Sequence, residues 1–325
     1  MRLEYDHGVF LPDLGLWLDA HSSRPKHAGF VSHAHSDHAF WHASTLASAA
    51  TLRLMRARQP RPDAQVESHA FMEPFEFRGA RLTLLPAGHI AGSSQILVEH
   101  QGERLLYSGD MRLRPGVGCE PAVTVKADIL VMESTFGRPE YLFPPASQVL
   151  EDVAAFCRRC LEAGDTPVLL AYSLGKAQEA LLGLAAWGFE FVVHPAIADL
   201  NEAYKALGYH FPVCHVAGKQ SAQGRVVICP PQGRGNPLLS GLTRKRTALL
   251  SGWAADKGAK YRFQADEAFP LSDHADFSEL LAYVARVEPK KVYTDHGYAA
   301  DLARHLRRQG LDAQALGVAE QMELI

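Results

Sequence analysis

A short stretch of the chain, residues 31–38, carries four side chains that can bind a metal ion. It reads Val-Ser-His-Ala-His-Ser-Asp-His. Imidazole and carboxylate groups are ligands that divalent metals such as zinc favour in proteins. Alternate residues of an extended segment point the same way, so His33 and His35 can share one ion while Asp37 and His38 face another. The spacing therefore predicts a site for two metal ions rather than a histidine-rich surface turn.

Other polar side chains stand at the ends of apolar, strand-like runs. Asp19 ends the run 16–19, where a carboxylate is a natural partner for the second nitrogen of a ligand histidine. His89 lies in a glycine-flanked loop, and Asp110 ends the run 105–110. Because active sites of layered α/β folds are built at strand ends, we predict His89 and Asp110 as further metal ligands.

Three later residues repeat this arrangement of a polar group beside an apolar strand. Glu133 comes directly after the run 128–132, while His274 and His296 each follow an apolar strand and precede a helix. They are predicted to join the same site.

The spacing of apolar residues, which predicts the helices and strands that position these side chains, changes along the chain. Short strands and turns fill the first part, with a predicted helix over 46–58 and a hairpin that turns at residues 101–102. From about residue 147 the pattern alternates between helix and strand, which predicts a parallel sheet covered by helices. This second part reads as a separate module.

Within the module, residues 171–179 run from a strand into a helix and suggest a phosphate site. Backbone N–H groups at the helix start, at Gly175, can bind a phosphate beside Ser173 and Lys176. The stretch is not a P-loop, because the first glycine and the Ser or Thr after the lysine are missing.

A basic segment follows, residues 205–262, with ten Lys or Arg against one acid, a local charge of about +9. A basic region in an acidic protein is typical of a polyanion-binding face, and a solvated basic surface is the alternative. The cluster Arg244, Lys245 and Arg246 is therefore assigned to substrate phosphates, and residues 232–236 are predicted as a flexible glycine loop.

Length and composition limit the class of protein. With 325 residues, 47% hydrophobic and 21% charged, the chain is typical of a globular protein of one or two domains. No apolar run approaches the roughly 20 residues of a membrane span, and the amino terminus lacks the layout of a signal peptide. Five cysteines without framework spacing fit a reducing compartment. These features predict a cytoplasmic protein without a membrane partner.

Taken together, the motifs resemble the metallo-β-lactamase fold and its nucleic-acid-processing β-CASP branch. The stretches that carry the likeness to the branch are Glu-Ser-Thr-Phe-Gly137, Leu-Ser-Asp-His-Ala-Asp276 and His-Gly-Tyr298. Within it the chain is similar to bacterial DNA-ligase-associated exonucleases, also described as mRNA 3′-end-processing-factor-like proteins. The resemblance implies an α/β fold, an αββα sandwich formed by residues 1–142 and 256–325, with a smaller nucleic-acid-binding α/β cap inserted at 143–255.

The resemblance also implies a role for each residue of the site. One ion, zinc or manganese, would be held by His33, His35, His89 and Asp110, and a second by Asp37, His38, Asp110 and His296. The residues implied in catalysis are His274, Glu133, Asp37 and Asp19. Of these, His274 would protonate the leaving oxygen, Glu133 would poise His274 for this proton transfer, and Asp19 would orient the metal site.

The function implied is a dinuclear-metal nuclease that digests single-stranded or end-exposed DNA in repair, with a DNA ligase or helicase as partner. Two ions about 3.5–4 Å apart suit the in-line displacement at a phosphodiester. RNA is the alternative substrate, because RNA-processing members keep a histidine at His296 and no residue here is seen to read a 2′-hydroxyl. The basic module argues against a small-molecule thioesterase or lactamase, and the filled ligand positions argue against a non-catalytic binding module.

Overall fold

The computed structural model describes residues 1–24, 26–218, 222–231, 239 and 241–317. The chain divides into two compact units. Unit 1 comprises Met1–Pro115, Cys119–Tyr141 and His274–Ile325, and unit 2 comprises Gly116–Gly118 and Leu142–Asp273. Within the described ranges, every helix is too short or too polar to cross a bilayer.

The first part of unit 1 is built mainly from strands. In chain order the elements are β1 (Glu4–Tyr5), β2 (Val9–Leu11), β3 (Leu16–Leu18), β4 (Ala28–Phe30), β5 (Ser44–Ala47), α1 (Ala49–Arg58), β6 (Val66–Ser68), β7 (Pro74–Phe77), β8 (Ala80–Pro86), β9 (Ser94–His100), β10 (Glu103–Tyr107) and β11 (Ile129–Glu133). The predicted hairpin joins β9 to β10, and Gln101 and Gly102 both have the positive φ that a tight hairpin turn needs.

The helix predicted over 46–58 is wrong at its start. Residues 44–47 form β5, which pairs in parallel with β4 and β6. Helix α1 begins only at Ala49, because the Ser48 hydroxyl accepts a hydrogen bond from the N–H of Thr51 at 3.0 Å and caps the helix there. Pairing in the sheet has overridden the helical pattern of these apolar residues.

Unit 2 contains the alternating pattern that the sequence predicts. Its elements are α2 (Ala146–Glu162), β12 (Thr166–Leu170), α3 (Lys176–Gly183), β13 (Phe191–Val193), α4 (Pro195–Lys205), β14 (Cys214–Val216), β15 (Val226–Cys229), β16 (Lys245–Leu250), α5 (Ala259–Arg262) and β17 (Glu267–Phe269). The strand order is β14-β13-β15-β12-β16-β17, and each of these described pairs is parallel. The prediction of a parallel sheet is confirmed.

The boundary between the units differs from the sequence assignment at one end. Residues 256–273 were assigned to the catalytic domain, but they belong to unit 2 by their contacts. The reason is that β17 pairs in parallel with β16 and extends the sheet of unit 2. The roles of the units, catalytic and nucleic-acid-binding, stay predictions.

The chain then returns to unit 1 and completes its second sheet. The last elements are α6 (Phe277–Val287), β18 (Lys291–Asp295), α7 (Ala299–Arg308) and β19 (Asp312–Ala315). One sheet runs β1 to β6 in order, and the other has the order β19-β18-β11-β10-β9-β8-β7. Side chains of both sheets share one buried apolar cluster, while α6 and α7 cover the other face of the second sheet. This is the predicted αββα sandwich.

Three neighbouring strands of the second sheet bring polar residues to one edge. Strands β10, β11 and β18 are parallel, and Glu133 is paired in register with Asp295. Asp110 lies three residues beyond β10, and His296 directly follows β18. Parallel strands end at the same edge of a sheet, so these residues are delivered to one place.

A buried histidine away from this edge makes the stability of the fold depend on pH. His42 lies against the backbone of Gly29, and its Nδ1 accepts a hydrogen bond from the N–H of Arg24 at 3.2 Å. Burial, with a contribution from the Arg24 charge and against the influence of Asp19, lowers the pKa of His42 from 6.5 to about 4. Folding therefore favours the neutral ring.

We expect the free energy of unfolding to fall as the pH is lowered from about 6.5 towards 4, because the unfolded chain then binds a proton that the folded chain does not. The full contribution of His42, of the order of 3 kcal/mol, is present above pH 6.5. Urea unfolding at several pH values should show a shallower decline for His42→Asn, which keeps an acceptor near the Nδ1 position. Parallel pH profiles of the two proteins would contradict this.

Candidate metal centre

Four side chains of unit 1 place their ligand atoms around one point. The Nδ1 of His35 lies 3.1 Å from the Nε2 of His33 and 3.0 Å from the Nε2 of His89. The Oδ2 of Asp110 lies 3.4 Å from the His33 nitrogen and 3.8 Å from the His89 nitrogen. Ligands about 2.0–2.1 Å from a tetrahedral ion are about 3.4 Å apart. The set thus has the spacing of a divalent-metal site.

A second set also lies next to the Oδ2 of Asp110. The Nε2 of His38 is 3.6 Å from the Oδ2 of Asp110 and 3.8 Å from the Oδ2 of Asp37. The ring of His296 lies 5.1 Å from the ring of His38, centroid to centroid. The structure therefore brings together all seven residues that the sequence singled out as ligands, with Asp110 between the two sets.

The electrostatics of the cluster suit a bound cation. Burial and the neighbouring imidazoles hold the pKa of His33 well below 6.5, so its ring is neutral. Burial alone would also lower the pKa of His38, but the charges of Asp110 and Asp19 raise it to about 10. Positive charge is therefore favoured at the position of His38. Among the residues that the structure describes, the buried Nε2 of His296 has no hydrogen-bond partner, and the Oδ2 of Asp295 lies 3.9 Å from it. A divalent cation would satisfy both the positive charge favoured at His38 and the lone pair of this nitrogen.

Asp19 lies behind the ligands and fixes the orientation of two of them. Its Oδ2 accepts hydrogen bonds from His38 Nδ1 at 2.9 Å, from the Ser32 hydroxyl at 2.5 Å and from the Tyr107 hydroxyl at 3.0 Å. With its proton given to Asp19, Ser32 accepts from the Nδ1 of His33 at 2.9 Å. Both histidines are thereby held as the tautomer whose Nε2 lone pair faces the site.

The charge of Asp19 is maintained despite complete burial. Burial alone would raise the pKa of Asp19, but His38 and the two hydrogen bonds from Ser32 bring it below its ordinary value. Asp19 is therefore an anion at neutral pH and can hold the two ligand histidines in place.

Glu133 and His274 form a hydrogen-bonded pair beside the metal ligands. The Nδ1 of His274 donates to the Glu133 carboxylate at 3.0 and 3.2 Å, and the N–H of Met111 donates to the same carboxylate at 2.6 Å. The ring of His274 lies 4.5 Å from that of His89. Burial would raise the pKa of Glu133, but His274 and these hydrogen bonds keep it below its ordinary value. Glu133 is thus an anion that orients the imidazole of His274 through its Nδ1.

Two residues near His296 were missed by the sequence analysis. Asp295 is buried, and its Oδ1 accepts from the N–H of His296 at 2.9 Å and from the hydroxyl of Tyr5 at 3.2 Å. These bonds help to hold His296 in a left-handed backbone conformation, with φ 60°, that costs energy outside glycine. Asp295 ends an apolar strand, so the rule applied to Asp19 would have found it. The hydroxyl contributions of Tyr5 and Tyr107 have no signal in the sequence.

Hydrogen bonds at the start of α3 argue against the phosphate site expected there. The N–H of Gly175 donates to the Oε1 of Gln178 at 2.7 Å, and the amide of Gln178 donates to the carbonyl of Ser173 at 3.1 Å. The side chain of Gln178 therefore occupies the position that a phosphate would take, as in a helix capping box.

Lys176 is also unsuited to phosphate binding. Its side chain is 1% exposed, and its Nζ lies 3.2 Å from the Glu179 carboxylate and 3.1 Å from that of Asp273. A buried lysine between two carboxylates is already neutralised, and a phosphate would have to displace both. Lys176 stabilises unit 2 instead.

In the folded structure, the positive charge of the basic segment 205–262 is partly neutralised by acids from other parts of the chain. Its ion pairs are Lys205 with Glu202, Arg225 with Glu190, Arg244 with Asp165, Arg246 with Asp266, and Arg262 with Asp256. Four of the five acids lie outside the segment. Lys245 donates to the carbonyl of Leu239 at 2.6 Å. These contacts argue against Arg244, Lys245 and Arg246 as phosphate ligands. The glycine loop 232–236 lies outside the described residues.

Several known proteins match part or most of this chain. Residues 261–316 match the Zn-dependent metallo-hydrolase RNA specificity domain, RMMBL. A probable DNA ligase of Opitutus terrae is 46% identical over 329 residues, covering 99% of this chain and 32% of the relative. The 5′ exonuclease Apollo of Gallus gallus is 28% identical over 304 residues, covering 88% and 63%. An RNase J-like protein of Methanocaldococcus jannaschii is 33% identical over 98 residues, covering 30% and 23%.

The chain thus spans less than two thirds of the length of each of these relatives. Their names describe a DNA ligase, a 5′ exonuclease and an RNase J-like protein. The αββα sandwich, the cluster of histidines and aspartates at its strand ends, and a separate α/β unit inserted in the sequence between two segments of the sandwich occur together in one chain. The resemblance of the chain to the β-CASP branch of the metallo-β-lactamase fold, seen in the sequence, is confirmed.

Proposed function

We propose that this protein is a metal-dependent nuclease that hydrolyses phosphodiester bonds of DNA from single-stranded or exposed ends. The observation that carries the proposal is the convergence of His33, His35, His89 and Asp110, whose ligand atoms all lie within 4.8 Å of one another. The pair formed by Glu133 and His274 directly beside them supplies a proton donor. A metal site with an adjacent acid fits the cleavage of a phosphodiester, whose leaving oxygen needs a proton.

Seven side chains would hold two divalent ions, zinc or manganese. The first ion would be held by His33, His35, His89 and Asp110, and the second by Asp37, His38, Asp110 and His296. When bound, such ions activate a water for attack and stabilise the charge that builds up on the phosphate. The carboxylate of Asp110 would be shared. Asp19 accepts hydrogen bonds from His38 and from Ser32, and through Ser32 it also orients His33, so that the Nε2 atoms of both histidines would be available to the ions.

The chain's own contribution to bond breaking is the proton of His274. Hydrolysis joins the water oxygen to phosphorus, releases a proton of that water to solvent, and breaks the bond from phosphorus to the departing sugar oxygen. That oxygen takes a proton from the Nε2 of His274, while Glu133 holds Nδ1 and stabilises the positive charge of the ring beforehand. The N–H of Met111 donates a hydrogen bond to Glu133 in turn. The pair of Glu133 and His274 is therefore connected to the loop that carries Asp110.

DNA is the substrate that we favour, and RNA is the second candidate. In favour of DNA, a relative named a probable DNA ligase contains a segment similar to almost the whole chain. We accordingly propose a DNA ligase as the partner that works on the same strands. In favour of RNA, residues 261–316 match an RNA specificity domain, and a shorter match is to an RNase J-like protein.

Digestion of matched strands distinguishes the two. The apo-protein is reloaded separately with zinc, manganese or iron and incubated with end-labelled DNA and RNA of one sequence, and the products are sized. Shortening of the DNA strand alone or far faster than RNA is the expected result. Preference for RNA would select the second candidate, and hydrolysis of a thioester with both strands intact would exclude a nuclease.

A further inference from the structure

The described part of unit 2 carries a small exposed surface that combines cations with an aromatic ring. We call it the Tyr261 surface; it consists of Lys257, Lys260, Tyr261 and Arg262. The Tyr261 side chain is 73% exposed, whereas large apolar groups are normally covered. A Cβ added at Gly258, just before α5, would meet nothing within 4 Å, so the surface is open on that side.

Two apolar residues, Ala259 and Phe263, attach helix α5, which carries Tyr261, to the interior of unit 2. Ala259 is fully buried and packs, together with the partly buried Phe263, in an apolar cluster that includes strands β12, β15 and β16. Because the two anchors flank Tyr261 in the chain, α5 holds the ring outward on a fixed backbone. An aromatic ring exposed on an anchored helix loses little further freedom when a flat group stacks on it.

The charges around the ring are positive. The Nζ of Lys260 lies 5.0 Å from the centre of the Tyr261 ring, and the guanidinium of Arg262 lies 2.9 Å from Asp256, the one acid within residues 256–262. Lys257 and Lys260 have no ion pair with an acid in the ranges that the structure describes. The surface therefore offers an exposed aromatic ring, with Lys260 over one of its faces, and two cations not neutralised by a described carboxylate.

We propose that the Tyr261 surface binds single-stranded nucleic acid, with an unpaired base stacked on Tyr261 and the flanking phosphates held by Lys257 and Lys260. This rests on the proposed nuclease function and names a contact for its substrate. Exposed rings stack on any base, and neighbouring cations follow the backbone, so the site would not depend on sequence. A duplex, whose bases are already stacked, offers no free base face.

The experiment measures binding by fluorescence anisotropy with labelled phosphorothioate thymidine oligonucleotides, which resist cleavage, on the intact metal-loaded protein. Tyr261→Ala is expected to weaken binding of the single strand about fivefold or more, and Tyr261→Trp to restore it. Binding of a blunt duplex should not change. A change of less than twofold for the single strand, or an equal loss on the duplex, would overturn the proposal.

Lysine variants test the cations separately. Lys260→Gln should flatten the dependence of binding on salt by about one unit in the log–log slope. Lys126→Gln, which removes the same charge from an exposed lysine paired with Glu288 in unit 1, serves as the control and should leave the slope unchanged. Equal slopes for all three proteins would contradict the assignment of Lys260.

Two further measurements separate this proposal from its alternatives. Digestion of an unmodified single strand by the wild-type protein tests the nuclease proposal by itself: if the strand stays intact, the nuclease proposal fails while the binding comparison still decides this one. Sedimentation tests the other occupant, a second copy of the chain. If Tyr261→Ala dissociates an oligomer without weakening nucleic-acid binding, the surface is a self-interface and the proposal is wrong.

Discussion

Replacing His274 by alanine is expected to slow cleavage of DNA about 10²- to 10⁴-fold. The reason is that a departing sugar oxygen is a poor leaving group unless it is protonated, and His274, held by Glu133 at 3.0 Å, is the proton donor that we assign. Metal content, measured on the purified protein, should stay that of the wild type, because His274 is outside both ligand sets.

The leaving group provides the sharper test of this assignment. A p-nitrophenolate departs without a proton, so hydrolysis of bis(p-nitrophenyl) phosphate should be nearly as fast in His274→Ala as in the wild-type protein. The matched control is His100→Ala, which removes a partly exposed histidine at the end of β9 and should change neither reaction. Equal losses on DNA and on the small ester would mean that His274 acts in some other way.

Removal of metal is expected to stop cleavage completely and to lower the melting temperature. A ligand at a thousand times its dissociation constant stabilises the folded state by about 4 kcal/mol, which corresponds to several degrees in a protein of this size. Here the ligands come from the loops after β4, β8, β10 and β18. A bound cation would link these segments, and a chelator would release them.

Asp110→Asn tests the same site from the protein side. Because Asp110 lies between the two sets, 3.4 Å from His33 and 3.6 Å from His38, its loss should reduce binding of both ions. The variant should therefore melt at the same temperature with and without chelator. Asp63→Asn removes an exposed carboxylate elsewhere and should behave as the wild type. A chelator without effect on wild-type melting and cleavage would remove the metal centre from consideration.

The strand ends of the sandwich were the most predictable part of the site. We predicted His33, His89 and Asp110 as ligands because a polar residue after an apolar strand has few structural reasons to be there. In the structure, the Nε2 atoms of His33 and His89 both lie within 3.8 Å of the Oδ2 of Asp110. The parallel sheet of unit 2 followed from the change in period near residue 147, whereas the αββα class was implied by the resemblance. Such inferences work because the period of a strand or helix is set locally.

What the sequence did not reveal depends on partners that are distant in the chain. The acids that pair with Arg225, Arg244 and Arg246 come from residues 165–190 and from Asp266, so a charge count along the chain overstates the local potential. Lys176 looked like a phosphate ligand until its carboxylate neighbours were known. Leu46 fitted a helical pattern, but hydrogen bonding to β4 and β6 decided its conformation.

The alignment of β11 between β10 and β18 has a consequence for how this protein tolerates change. Glu133 stands opposite Asp295, and Tyr107 opposite Val131. Because successive residues of a strand face opposite sides, deleting one residue inside β11 would turn Glu133 away from His274 even if the sheet reformed. A shortened loop between residues 113 and 127 leaves that alternation intact. Length variation in descendants of this chain should therefore collect in its loops, with the spacing inside these three strands kept to the residue.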